Sequence, residues 1–341
     1  MIVVTRNLVI ITPALEGGGI EKTTPILIRS LTKLRKISVL WIGVNKSSSL
    51  EDLPRTRSIS MGRKSGDGVF CTLRTLFQVQ KLVGSVDKPT LLVNGEMAEL
   101  FAAFFVWNVE IICVEHASRP WTMSRGLGRV IRLILKRKCA RWVTVNSRQE
   151  IIWPSIMSFV HIPNPIVFPE SNFDDREIGL VHIGRLVEAK CTDLACDASV
   201  RTGIPLDVYG DGVLYEGLAE KYKKNGQIRF HGFVGNAWSL VGLNKVLISS
   251  STSEGDGRNV AEAIVRRQPL LLRDTEDHRR FGLSDECYFN STEELCTKLE
   301  MYRAESFSQI RPSGTLAMQE IERRDPMRVA TLWTSLLDNS G

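Results

Sequence analysis

The chain has 341 residues, a formal net charge of +6 and seven cysteines. The charge is modest and no aromatic-basic nucleic-acid module is present, so the sequence does not favour nucleic-acid binding. The length is sufficient for two hydrophobic cores, and strands that alternate with helices predict two doubly wound α/β domains.

Residues 8–31, LVIITPALEGGGIEKTTPILIRSL, predict a strand, a Gly-rich turn and an amphipathic helix. The part GGGIEKT is similar to a Walker A phosphate loop, which makes an ATPase or GTPase one alternative. Glu21 stands where that loop has Gly, and a carboxylate directed at phosphates is electrostatically unfavourable. The apolar run before this element is interrupted by Arg6 and Asn7, so neither a signal peptide nor a membrane span is expected.

The segment from Arg119 to Arg148 contains no acidic residue. Two stripes at helical spacing and two flanking tryptophans mark it: Arg125, Arg129, Arg132 and Lys136; Leu127, Val130, Ile131 and Ile134; Trp121 and Trp142. A basic amphipathic helix can bind anionic lipid headgroups, so residues 119–141 are a predicted membrane-binding segment. The alternative is an ordinary helix with its apolar stripe in the core and its cations in water.

The stretch 163–169 contains Pro163-Asn164-Pro165 and predicts a linker, with the domain boundary after Asn164. The seven cysteines are odd in number and lack CxxC spacing, which predicts reduced thiols in a cytoplasmic protein.

Residues 177–190, EIGLVHIGRLVEAK, predict a buried strand that ends at Gly184 and is followed by Arg185 and Lys190. Arg binds oxygens bidentately and Lys adds a point charge, so this pair suits a diphosphate whose negative charge develops during a reaction. The alternative is a surface pair of these cations with Glu188.

Residues 208–234 predict a strand that ends in Gly210-Asp211-Gly212, a helix, and a second strand IRFHGF. Residues 245–269 predict an apolar strand 246–250, a Gly-rich turn, and a helix that begins near Arg258. Free amides at the helix start attract an anion, and Glu254 and Glu262 would flank it as acceptors for sugar hydroxyls. The alternative is that both carboxylates are solvated and Glu254 only complements the helix dipole.

The order strand–GR–K, strand–GDG–helix, strand–HGFV, strand–EGDGRNVAEA resembles the carboxyl-terminal domain of the retaining glycosyltransferases of family four. The resemblance implies a GT-B fold, in which two Rossmann-like doubly wound α/β domains face an interdomain cleft. Residues 1–164 would bind the acceptor, residues 165–314 would bind the nucleotide sugar, and a helix at about 315–341 would pack back on the first domain.

The family's motifs carry over to named positions. The implied catalytic residues are Glu254, His116, Arg185 and Lys190. The implied donor-binding residues are Gly17, Gly18, Gly19, Gly184, Gly257, Arg258, Asn259, Val260, Glu262 and Phe233. In this scheme Arg185, Lys190 and the amides of 258–260 stabilise the departing diphosphate. Glu262 holds the ribose, Glu254 holds the donor sugar, and His116 hydrogen-bonds the donor. The chain departs from the family pattern at Cys191, Asp256 and Gln268.

The resemblance implies transfer of a sugar from a nucleoside-diphosphate sugar to an acceptor hydroxyl with retention of configuration, in polysaccharide, lipopolysaccharide or glycolipid assembly. It implies no metal ion and no cofactor beyond the sugar-nucleotide donor. The acceptor would be a glycan or a lipid-linked glycan, and the protein would be cytoplasmic and peripheral on the inner face of the plasma membrane. The alternatives are a GT-B nucleotide-sugar epimerase and a non-catalytic sugar-nucleotide-binding partner in a membrane assembly.

Overall fold

A computed structural model describes residues 6–15, 19–47, 52–64, 67–106, 109–116, 125–138, 141–146, 159–167, 177–303 and 307–338. The chain divides into two compact units. The first is Met1–Val167 together with Arg323–Gly341, and the second is Phe168–Glu322.

The first unit contains seven strands in the described residues: β1 (Arg6–Thr12), β2 (Ile37–Asn45), β3 (Thr56–Arg63), β4 (Pro89–Asn94), β5 (Glu110–Glu115), β6 (Arg141–Thr144) and β7 (Phe159–His161). They form one parallel sheet in the order β3-β2-β1-β4-β5-β6-β7. Strand β4 is buried along its whole length, as expected of a parallel strand with helices on both faces.

The second unit contains β8 (Gly179–Ile183), β9 (Leu206–Tyr209), β10 (Ile228–Gly232), β11 (Lys245–Ser249), β12 (Leu270–Arg273) and β13 (Tyr288–Phe289). They form a parallel sheet in the order β10-β9-β8-β11-β12-β13. The two sheets confirm the prediction of an α/β chain with two Rossmann-like domains.

The described helices are α1 (Gly19–Leu34), α2 (Val69–Gly84), α3 (Glu96–Phe105), α4 (Arg125–Arg137), α5 (Thr192–Thr202), α6 (Tyr215–Tyr222), α7 (Arg258–Val265), α8 (Glu276–Arg279), α9 (Thr292–Arg303), α10 (Gly314–Arg324) and α11 (Pro326–Asp338). Helices α2, α3 and α4 pack on one face of the first sheet through Val79, Phe101 and Ile131. Helices α1 and α11 pack on the other face through Ile28 and Trp333.

The end of the chain returns to the first unit at Arg323, later than the predicted position near residue 315. Helix α11 packs against α1 in that unit. Arg35 donates to Asp338 at 2.7 Å, and Arg141 donates to the carbonyl of Leu336 at 2.9 Å, so the last helix is tied to the first sheet's layer by polar contacts as well as by Trp333.

Helix α4 differs from its predicted amphipathic pattern at Arg132. The side chain of Arg132 is buried, donates to Glu99 at 2.9 Å, and forms an ion pair with Glu115. Its guanidinium also lies over the buried ring of Trp142. Burial by itself lowers the pKa of Arg132, but Glu115 and Glu99 raise it above the ordinary value. Arg132 and Trp142 therefore belong to the core, and Arg132 is not one of the exposed cations of the predicted basic stripe.

We expect Arg132→Met to lower the free energy of unfolding by about 3 kcal/mol, because Glu99 and Glu115 would keep buried charges without their cation. Arg129 is exposed on the same helix, so Arg129→Met should stay within about 0.5 kcal/mol of wild type. Urea unfolding of both variants would measure the difference. Equal losses in the two variants would contradict a special role for the buried cation.

The described cysteines Cys71, Cys113, Cys191, Cys196, Cys287 and Cys296 are free thiols, and Cys139 lies outside the described residues. Among the residues that the structure describes, no helix is both long and apolar enough to cross a membrane. Trp121 lies outside the described residues.

Candidate functional site

The candidate site lies at the carboxyl ends of β8 and β11, which are neighbours in the second sheet. In the sheet, β9 lies on one side of β8 and β11 lies on the other side. The direction of the strand order therefore reverses between β8 and β11. Parallel sheets open a crevice at such a switch point, and ligands bind there. The loops after these two strands carry Gly184 with Arg185 and Glu254 with Gly257, so the topology brings the predicted residues to one edge.

Arg185 follows β8 and has an exposed side chain. It makes no side-chain hydrogen bond or ion pair with any part of the chain that the structure describes. A Cβ added at the preceding Gly184 would contact only the His182 ring, at 3.7 Å. Steric crowding therefore does not explain the Gly at position 184. The guanidinium of Arg185 is thus free to bind an anion bidentately.

The loop that carries Arg185 is held by the Gly210-Asp211-Gly212 turn after β9. The amide of Leu186 donates to the carbonyl of Asp211 at 2.9 Å, and the amide of Gly184 donates to that of Tyr209 at 3.0 Å. Gly210 has φ +148°, and a Cβ built on it would lie 1.7 Å from the carbonyl oxygen of Gly184. This close approach of two backbones explains the Gly at position 210.

Lys190 and Glu254 form an ion pair that links the loops after β8 and β11. Lys190 Nζ lies 2.5 Å from Glu254 Oε1, and the two side chains are 18% and 6% exposed. Lys190 ends a short 3-10 turn, Glu188–Lys190. The backbones of the two loops are also joined, because the amide of Thr252 donates to the carbonyl of Ala189 at 2.9 Å. The structure therefore brings two predicted catalytic residues into direct contact.

The charge of Glu254 is stabilised from several sides. Burial by itself raises the pKa of this carboxyl, but Lys190, and to a smaller extent His278 and Ser251, bring it below the ordinary value. The nearby His182 is buried in β8, and burial together with the charge of Lys190 lowers its pKa to about 4. Near neutral pH the site thus holds an ionised Glu254 and a neutral His182.

Helix α7 begins beside this pair. Gly257 precedes it with φ +61°, and a Cβ there would come within 2.9 Å of the Phe281 ring. The side chain of Asn259 donates to the carbonyl of Ile183 at 2.9 Å and accepts from the amide of Val260 at 2.9 Å. In this conformation the Val260 amide donates to Asn259, so its use for an anion stays a prediction, while the amides of Arg258 and Asn259 have no acceptor in the described residues.

Glu262 lies one turn into α7 and already has two donors. Trp238 Nε1 donates to Oε2 at 2.8 Å, and Arg258 Nε donates to Oε1 at 2.8 Å. Each carboxylate oxygen keeps a second lone pair for a ligand hydroxyl. Trp238 lies in a 3-10 turn, Ala237–Leu240, before β11, and nothing in the sequence pattern connects it with Glu262.

The predicted donor-binding residue Phe233 and the family departure Gln268 lie at two further positions of the second unit. Phe233 follows β10, beyond β9 in the sheet, and its ring is 56% exposed. Gln268, where the family pattern has Gly, is fully buried, and its amide donates to the carbonyls of Gly242 at 2.7 Å and Lys245 at 2.5 Å. The Gln side chain thus fixes the start of β11, which is a structural role.

Cys191 is the third departure and occupies a strained position. Its backbone has φ +44° and ψ +46°, the left-handed region that favours Gly. We expect Cys191→Gly to raise the free energy of unfolding by about 0.5–1 kcal/mol, because the left-handed penalty of a side chain is removed. Cys191→Ala loses the thiol but keeps Cβ, so it should bring no gain. Unfolding midpoints in urea would test this pair of variants, and a similar gain in both would implicate the thiol.

The segment 277–281 positions the loop after β11, a role that its sequence pattern does not predict. Asp277 accepts from the amide of Glu254 at 2.9 Å, and Arg280 donates to the carbonyl of Gly255 at 2.8 Å. The ring of Phe281 fills the space beside Gly257. Nothing in the spacing of EDHRRF indicates these contacts, because they join residues more than twenty positions apart in the chain.

In the first unit, His116 lies at the end of β5, beside β4. Its Nε2 lies 2.9 Å from Oδ1 of Asn94, whose Nδ2 donates to the carbonyl of Ile11 at 3.2 Å. Since Asn94 offers its oxygen to the ring, the proton of His116 is on Nε2. Gly19 begins α1 and has open space around it, whereas Gly17 and Gly18 lie outside the described residues.

No group of three or more metal-ligating side chains occurs within the described ranges. The arrangement at β8 and β11 combines a Lys–Glu pair with a guanidinium and two helix-start amides that have no partner among the residues the structure describes. It can bind a diphosphate at the cations and amides and can accept hydrogen bonds from hydroxyl groups at the carboxylates.

The site falls within a stretch that matches a known family. Residues 164–281 match the family model described as glycosyl transferases group 1. EpsD of Bacillus subtilis (strain 168), a protein assigned as a glycosyltransferase, is 30% identical over 118 residues, which cover 33% of this chain and 28% of EpsD. The chain thus spans less than a third of the length of this curated relative.

Solved structures match almost the whole chain. Anabaena HepE in complex with UDP and glucose superposes with a TM-score of 0.77 at 14% identity, covering 98% of this chain and 100% of HepE. WaaG, a glycosyltransferase involved in lipopolysaccharide biosynthesis, superposes with a TM-score of 0.63 at 14% identity, covering 95% of each chain. The fold is that of the GT-B glycosyltransferases.

Proposed function

We propose that the protein is a glycosyltransferase of family four that uses a nucleoside-diphosphate sugar and retains the anomeric configuration. The observation that carries this proposal is the set of groups at the β8–β11 switch point, where Arg185, Lys190 and the start of α7 surround one edge of the sheet. The family match covers this set, and HepE contains UDP and glucose.

The roles follow from the contacts. Arg185 captures the diphosphate because it is exposed and unpaired in the described structure. Lys190 then exchanges part of its contact with Glu254 for a phosphate oxygen, and the amides of Arg258 and Asn259 share the developing charge. Glu254, released in part from Lys190, accepts a hydrogen bond from the donor sugar, and Glu262 accepts one from the ribose.

The acceptor hydroxyl attacks the same face of the sugar from which the diphosphate departs. The leaving phosphate oxygen takes the acceptor proton, the C1–O bond to phosphate breaks, and the new glycosidic bond forms with retention. The reaction requires no metal ion, since the cations and amides carry out the charge stabilisation. His116, with its tautomer fixed by Asn94, hydrogen-bonds the donor.

The acceptor is a glycan or a lipid-linked glycan of polysaccharide, lipopolysaccharide or glycolipid assembly, and the enzyme acts in the cytoplasm. The involvement of WaaG in lipopolysaccharide biosynthesis supports this class of acceptor.

The test is binding of UDP, GDP and ADP, each measured calorimetrically with EDTA present. We expect one diphosphate to bind, and Arg185→Ala to weaken its binding about tenfold to hundredfold, because charge-assisted hydrogen bonds contribute about 1.5–3 kcal/mol. Arg201→Ala is the matched control, since Arg201 is exposed in the same unit and pairs with Glu293. Equal affinities in the two variants would overturn the assignment of Arg185.

The matching nucleotide sugar would then be incubated with glycan and lipid-linked acceptors, and NMR of the product would give the anomeric configuration. An inverted product would exclude retention. Conversion of the donor to its epimer without an acceptor would indicate an epimerase. Binding without turnover would indicate a non-catalytic partner. Binding of ATP with magnesium that depends on Lys22 would indicate the phosphate-loop alternative.

A further inference from the structure

Three neighbouring helices of the first unit expose large apolar side chains on their outer surfaces. Helices α2, α3 and α4 pack side by side, and their inner sides share one core cluster against the sheet. Their outer sides carry Phe70, Phe77, Phe104, Val130 and Leu133, with exposed fractions of 91%, 56%, 49%, 52% and 50%. We call the outer surface of these three helices the α2–α4 face.

Helix α2 has the pattern of an interfacial helix. Phe70 and Phe77 are two turns apart, so they project from one side, opposite the buried Leu76 and Val83. Phe70 is 91% exposed and so buries little area on folding, and several exposed apolar side chains on one surface are typical of an interaction site. Phe70 therefore points to a partner that the described structure does not contain.

The charges on the α2–α4 face indicate which kind of partner it binds. Arg74 and Lys81 are exposed on α2, and Arg129, Lys136 and Arg137 are exposed on α4. Neither α2 nor α4 contains an acidic residue, and the buried charge of Arg132 is neutralised by Glu99 and Glu115. Helix α3 exposes one carboxylate, Glu96, so the five exposed cations leave the α2–α4 face with a net positive charge. Phe side chains surrounded by cations match a lipid surface, where the rings enter the headgroup region and the cations remain at anionic headgroups.

We propose that the α2–α4 face binds an anionic membrane surface, with Phe70 and Phe77 inserted. The surface differs from the predicted segment 119–141 in two respects: its apolar anchors are on α2, and Arg132 does not contribute. The proposal is independent of the proposed function, because it requires neither a sugar nucleotide nor turnover.

The test is cosedimentation of the full chain with vesicles of equal parts phosphatidylcholine and phosphatidylglycerol, and with vesicles of phosphatidylcholine alone. We expect binding to the anionic vesicles and weaker binding as salt is raised. Phe70→Ser with Phe77→Ser should lower the partition coefficient at least about tenfold, since each ring loses apolar burial. Arg74→Ser with Lys81→Ser should lower it about fivefold for each cation.

The matched control is Met301→Ser with Met318→Ser, which removes exposed apolar side chains of the second unit, 62% and 63% exposed. This variant should bind the vesicles as wild type does. Circular dichroism would verify that all variants are folded. Wild-type protein that fails to bind the anionic vesicles, or binding unaffected by the loss of both Phe side chains, would overturn the proposal. Self-association in solution that depends on Phe70 and Phe77 would also overturn it and identify a protein interface.

Discussion

Lys190→Met is expected to lower the free energy of unfolding near pH 7 by about 3 kcal/mol, because it leaves the carboxylate of Glu254 buried without its cation. Glu254 is only 6% exposed, and its charge is stabilised mainly by Lys190. The double variant Lys190→Met with Glu254→Gln removes both charges and should recover most of the loss. Urea unfolding of the single and double variants forms the measurement.

The stability loss of Lys190→Met should change with pH in one direction. In wild type the folded pKa of Glu254 lies below its ordinary value of 4.5, so its contribution is present above that value and is lost as the pH falls through the folded pKa. Without Lys190, burial is the largest remaining influence and raises the folded pKa above 4.5. The deficit of Lys190→Met should therefore be small at about pH 4 and grow as the pH rises toward about pH 8. A deficit independent of pH would contradict the assigned pairing.

Among substitutions that add one methyl group at the site, Gly210→Ala is expected to lower the free energy of unfolding the most. A Cβ there would lie 1.7 Å from the carbonyl oxygen of Gly184, and φ is +148°. Overpacking and an unfavourable backbone region each cost about 1–3 kcal/mol, so we expect a loss of about 4 kcal/mol and a displaced Arg185 loop.

Gly217 provides the control because a Cβ in that position of α6 meets nothing within 4 Å. Gly217→Ala should stabilise the protein by about 0.5–1 kcal/mol through its higher helix propensity. Thermal unfolding should thus shift in opposite directions for the two Gly→Ala variants. If Gly210→Ala instead unfolds at the wild-type temperature, the turn after β9 does not hold the loop that carries Arg185.

The sequence correctly predicted the strands and the helix start of the site, because there each motif directly follows or begins a secondary-structure element. The apolar run IGLVHI followed by Gly-Arg, and the run before EGDGR, became β8 and β11, and α7 begins at Arg258 as expected. Adjacent parallel strands present their carboxyl ends at the same edge, so the fold class alone brought Arg185, Lys190 and Glu254 together. The pattern on α4 failed because helical periodicity cannot distinguish an exposed Arg from one that is buried between two carboxylates.

The sequence by itself determined the two parallel sheets, the strand ends at which the charged residues stand, and the Gly257 turn that precedes α7. These features depend on apolar runs, turn residues and spacing, which act over a few positions in the chain. Only the tertiary structure decided that Lys190 pairs with Glu254, that Trp238 holds Glu262, and that Asp277 supports the loop. Those contacts join residues 64, 24 and 23 positions apart. They form because burial makes an unpaired polar group costly, and only packing determines which groups are buried together.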